Sequence, residues 1–258
     1  LAIMLIENWA FLADTLSFKM DQIVNELFID TVTEVENAFR LSKLVGFKPQ
    51  PPIAARSLWS ATINNPILTD IAIETPLIVD VVSGGDSITI ELFQADSNNT
   101  PKFEQDILLP AGSIINQSIV GLEGRTYESL FTGTGEPAQN IELGFFPVID
   151  GSIKIEVDGV TWTKVDFFTD SNPRREYRVE FDSEYHAYAI FGNNRAGLIP
   201  SQGSQIQAKF RVGGGTVGNI ITGFVEKQSQ IVVPGLSFNV PVTFRNYTKG
   251  EFGYNGDG

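Results

Sequence analysis

The chain has 258 residues, no Cys, a single His and a formal net charge of −13. That length holds one large domain or two to three small ones, and the 42% hydrophobic content is that of a globular chain. Lack of Cys excludes disulfides, thiolate nucleophiles and Cys-ligated zinc; one His excludes multi-His metal centres; the acidic balance argues against an extended nucleic-acid surface.

No apolar run approaches the roughly 20 residues that span a bilayer, and no basic segment leads into an apolar core as in a signal peptide. The opening LAIMLIENWAFLADTL lies inside an amphipathic pattern without an initiator Met. The closing YNGDG completes no element, so the chain reads as a piece of a longer protein.

Residues 1–48 read as helical. Leu5, Trp9, Leu12 and Leu16 recur at spacings of four, three and four, a coiled-coil-like seam. A second helix is expected from about Asn25 to Val45, with Phe28, Val32, Val35, Phe39, Leu41 and Leu44 on its apolar side. Gly46 suits its C-terminus, and Pro49 and Pro51 stop it. Two such helices cannot bury both stripes on each other. The stripes either pack on the rest of the chain or join an intermolecular bundle.

From Pro49 onward the period is two. IVDVV, SITIELF, SIKIEV, REYRVEF, YAIF, QIQAKFRV and QIVV read as strands between Gly, Asn, Asp and Pro turns. The expected fold class is α+β: an N-terminal helix pair followed by mostly antiparallel β domains. Residues 1–48, 49–150 and 151–258 carry net charges of −3, −10 and zero. The break near 150 coincides with the Pro147–Gly151 turn and marks a subdomain boundary. The acidic middle is either a solvated face or a surface for a basic partner.

Motifs for chemistry are weak. Gly213, Gly215 and Gly218 match G-x-G-x-x-G after a strand, but the following NIITGFVEKQSQIVV is β-rich. Without a helix N-terminus nothing holds a pyrophosphate, so a glycine kink is the plainer reading. His186 stands on a strand among aromatics, with no G-x-S-x-G elbow to complete a triad. Carboxylates are plentiful, so a two-carboxylate glycosidase stays open, but no pair stands out by spacing. No catalytic residue, cofactor site or metal ligand is assigned.

The stretch Val160–Val225 contains Trp162, Phe191–Gly192–Asn193, Gly197, Pro200, Gly203, Ile206, Gly213–Gly215 and Gly218–Asn219 in order. This ordered set resembles the baseplate J-like family, the wedge proteins of contractile-tailed bacteriophages. Asn194 and Arg195 stand where that family often has Gly. Upstream, Asn25–Glu26 and Val45–Pro49 look like the ends of the family's N-terminal helix pair, and LLPAGSII at 108–115 like its Pro-Ala-Gly strand entry. Asn246 corresponds to an Asn before a family Gly-Gly-x-Asp stretch. Residues 64–105 match no motif and read as an insertion.

The resemblance implies a domain plan: a bundle-forming helical arm (1–48), an acidic β-rich domain (49–150), a β domain with the J-like motifs (151–233), and a connecting segment (234–258) leading to a missing part. It implies a non-enzymatic virion protein of the phage tail baseplate, assembled in the host cytoplasm. Its partners would be other copies of itself, other wedge subunits, the hub and the sheath-attachment proteins, with no nucleic acid and no membrane. The seam Leu5, Trp9, Leu12 and Leu16 is the expected assembly interface. The recognisable residues are turn formers, which fix a shape rather than a reaction. Two other classes stay open: a glycan-binding or glycan-cleaving β-rich phage tail protein, and an interaction module unrelated to phage.

Overall fold

A computed structural model describes residues 2–255 apart from 29, 35, 36, 39, 40, 43–45, 48, 49, 84, 85, 170, 171 and 224. The chain divides into two compact units, residues 1–50 with 182–184 and residues 51–181 with 185–258.

In the first unit, helix α1 runs over Ala2–Glu26. Its 25 residues contain neither Gly nor Pro and are rich in Leu, Ala, Ile, Met and Glu, all compatible with a long helix. Among the described residues the expected second helix from Asn25 to Val45 is not found as one continuous element. Asn25 and Glu26 belong to α1, residues 27, 28, 30 and 31 turn, and Val32–Glu34 are not helical. Helical backbone recurs at residues 37, 38, 41 and 42, while Val35, Phe39, Leu44, Val45 and Pro49 lie outside the described residues.

The interruption has a local cause. The Glu26 carboxylate accepts hydrogen bonds from the Thr33 amide and hydroxyl, the Glu34 amide and Asn37 Nδ2. Thr31 Oγ1 donates to the Asn25 carbonyl at 2.6 Å. Such side-chain bonds offer the backbone an alternative to the helix, and Thr31, Val32 and Thr33 are β-branched.

The second unit is built of strands: β1 (Arg56–Thr62), β2 (Ile71–Ile73), β3 (Leu77–Ser83), β4 (Asp86–Ala95), β5 (Pro101–Lys102), β6 (Ile107–Leu109), β7 (Ile115–Glu123), β8 (Arg125–Thr132), β9 (Asn140–Glu142), β10 (Lys154–Val157), β11 (Val160–Lys164), β12 (Glu176–Phe181), β13 (Ala187–Phe191), β14 (Gln205–Val212), β15 (Glu226–Ile231) and β16 (Val240–Asn246). Among the described residues, with one long helix and about 40% strand in barrel-like sheets, the fold is mainly β, which corrects the α+β class with a helix pair.

The first large sheet has the order β15-β16-β1-β7-β4-β3, with β5 paired to β4. The second has the order β8-β14-β10-β11-β12-β13-β9, in which only β11 and β12 are parallel. Strands β2 and β6 form a small separate ladder. The second sheet is thus nested between β7 and β15 of the first. The junctions fall at Gly124 and after Val212, while residue 150 lies within the nested stretch. Residues 64–105 are no appendage: β4 pairs along both β3 and β7, and Val79, Ile88, Ile90 and Leu92 are core. Likewise β16, within 234–258, pairs with β1.

Alternation builds each core. Trp59 and Ala61 on β1 point inward with Ile88, Ile90 and Leu92 on β4, and Val242 and Phe244 on β16. Ile155, Trp162, Tyr177, Phe191, Ile206 and Phe210 fill the second core. On β4 the opposite face is buried too, because Glu91 and Phe93 meet Arg211 of β14. This double burial joins the two sheets.

Candidate functional site

The arm is the first candidate. Trp9, Leu12 and Leu16 lie on α1 with 70%, 48% and 53% of their surface exposed. Leu5 is helical, but its side chain is outside those described. Met20 and Ile23 extend the same face and are exposed. The opposite side carries Met4, Phe11 and Phe18, spaced by seven residues and also exposed. Exposed apolar residues thus lie on both sides of this helix.

The turn motifs sort into two places. In the first, Gly192 lies so close to Gly197 that a Cβ there would stand 2.2 Å from the Gly197 carbonyl. Asn193 Oδ1 accepts the amides of Arg195 and Ala196, and Asn194 Oδ1 accepts that of Ile199. Asn194 takes φ +63°, a left-handed conformation open to Asn as well as Gly. Asn at this position therefore keeps the turn without strain from a bulkier side chain. Pro200 is buried, and the Gly203 amide donates to the Gly133 carbonyl at the end of β8.

In the second place, Gly213, Gly215, Gly218 and Asn219 gather where the chain leaves the nested sheet. A Cβ on Gly213 would meet Gly124 Cα at 2.6 Å, and one on Gly218 would meet Ala55 and Glu123 at 2.7 Å. Residues 216–218 form one 3-10 turn, and no long helix follows. Gly215 is held by its amide to Ile53, and Asn219 Oδ1 accepts the Gly253 amide. The glycine pattern thus serves close backbone crossing rather than phosphate binding. Asn246, fully buried, accepts the Val225 amide and donates to the carbonyls of Ile221 and Thr248.

Beside these glycines lies a buried charge cluster that the sequence reading missed. Arg211 Nε donates to Glu91 Oε2 at 3.2 Å, and its Nη2 to the carbonyls of Leu122 and Glu123. Glu91 also accepts the Thr126 amide and hydroxyl. Glu123 accepts the Gly214 amide at 2.6 Å. Burial pushes the Glu123 carboxyl above its usual range, against the opposing effects of that amide and of Arg211. Both carboxylate oxygens of Glu91, and Nε and Nη2 of Arg211, have structural partners, so the cluster reads as a brace. The sequence signal was the charged residues inside the runs ITIELF (Glu91) and QAKFRV (Lys209 and Arg211).

The single His, His186, packs its ring against Phe146 at 4.0 Å on the loop before β13. The site elements are therefore an exposed helical face and a two-sheet body whose sheets are tied by a buried ion pair.

Residues 1–44 match the family model described as bacteriophage baseplate protein, N-terminal domain. The match covers the arm and supports a structural protein of the phage virion's tail baseplate. No curated protein matches the chain significantly.

Proposed function

We propose that this chain is a non-enzymatic wedge subunit of a contractile-tail baseplate, of the J-like kind, that links neighbouring wedges into a ring. Its partners are other copies of itself, further wedge subunits, the hub and the sheath-attachment proteins, and it assembles in the host cytoplasm. The observation that carries this reading is the exposed apolar face of α1 inside the matched segment 1–44. Bringing that face onto partner helices removes apolar surface from water at about 25 cal/mol per Å2. The brace and the glycine crossings keep the β body stiff, so that tail contraction moves it as a rigid part.

Light scattering tests it with the intact chain against Leu12→Asp and Trp9→Asp. The wild type forms dimers or larger species, alone or with wedge subunits, and the variants remain folded and monomeric. Unchanged assembly in both variants sinks the reading.

A further inference from the structure

We infer that a small cavity where the two sheets meet is a socket for a glutamate or aspartate side chain of a partner protein. This rests on the assembly reading above. The cavity has a volume of about 90 Å3. Its apolar floor includes Phe93 and Phe103, which meet edge to face with centroids 4.9 Å apart, and Phe210. Its cations are Lys154, Lys209 and Arg211.

Those cations are not equivalent. Arg211 is spent on Glu91 and backbone carbonyls. Lys154 Nζ lies 3.4 Å from Glu104 Oε1, a carboxylate whose side chain is 82% exposed. Among the described residues Lys209 makes no ion pair. On β8 it faces Glu128, which Gln207 already engages. On β10 it faces Lys154 directly in register. Like charges placed opposite each other across antiparallel strands destabilise a sheet.

A carboxylate between the two ammonium groups relieves that repulsion and gains charge-assisted hydrogen bonds. Small-molecule sites run to roughly 300–1,000 Å3. This cavity admits one side chain, and its aromatic floor suits a carboxylate on a hydrocarbon stem better than a bare inorganic anion.

The test titrates the intact protein with the N-acetyl methylamide of glutamate, and with that of glutamine, following amide and lysine resonances by NMR. The socket predicts saturable shifts at Lys154, Lys209 and Phe103 with glutamate only, abolished in Lys209→Gln. Lys209 is exposed, so this variant keeps the wild-type melting temperature. Equal shifts with glutamine, shifts that survive Lys209→Gln, or no shifts at all overturn the proposal. In reconstitution with wedge subunits, a Lys154→Glu/Lys209→Glu chain should bind at least about tenfold more weakly. If it assembles normally while Leu12→Asp does not, the socket falls and the assembly reading stands. If both assemble normally, both fall.

Discussion

Arg211 on β14 and Glu91 on β4 are separated by 120 residues in sequence and by 3.2 Å in space, with side chains 6% and 1% exposed. They tie the nested sheet to the sheet that encloses it. Removing one partner leaves the other charge buried without compensation, at a cost of about 3–5 kcal/mol. Glu91→Ala and Arg211→Met should each lower unfolding stability by that order in urea titrations. A loss under about 1 kcal/mol would show that the pair is not a brace.

Glu123 gives a pH dependence of defined sign. Its folded-state pKa is raised by burial. Its contribution to stability is therefore present below the unfolded carboxyl value, about 4.3, and is lost as pH rises through the raised folded value. Glu123→Gln retains an acceptor for the Gly214 amide and should flatten this dependence. Urea midpoints of both proteins across the mildly acidic range check it, and parallel curves would refute it.

Glu26 behaves in the opposite sense. Hydrogen bonds from Thr33 and Asn37 lead the causes that hold its pKa at about 2. Its contribution is present above the unfolded value of about 4.3 and is lost as pH falls through about 2. Amide exchange at Thr33 and Glu34 should rise in acid relative to neighbouring amides, after correction for intrinsic rates, and Glu26→Ala should raise it already at neutral pH.

The glycines differ in why they are glycines. Gly218→Ala drives a Cβ into Ala55 and Glu123 at 2.7 Å and should cost about 1–3 kcal/mol. Gly203→Ala meets nothing within 4 Å but keeps φ +82°, so its cost is backbone strain alone, about 1–2 kcal/mol. Only the first should also disturb the Glu123 and Gly214 amide resonances. Equal local perturbation by both would contradict the crossing geometry.

The sequence by itself determined what is local. Residue types without Gly or Pro make α1, alternation makes the strands, and Gly, Asn and Pro mark turns such as Asn193–Gly197 and Gly213–Gly218. The heptad spacing of Trp9 and Leu16 was legible because it repeats along one helix. The break after Glu26 is not legible, because apolar spacing carries no information about Glu26 capturing the Thr33 and Glu34 amides. The tertiary structure alone decided that β16 closes on β1, that the chain nests one sheet within another, and that Glu91 meets Arg211. Strand pairing and burial depend on contacts among residues far apart in sequence. A charged side chain in an alternating strand looks solvent-facing until a second sheet covers it.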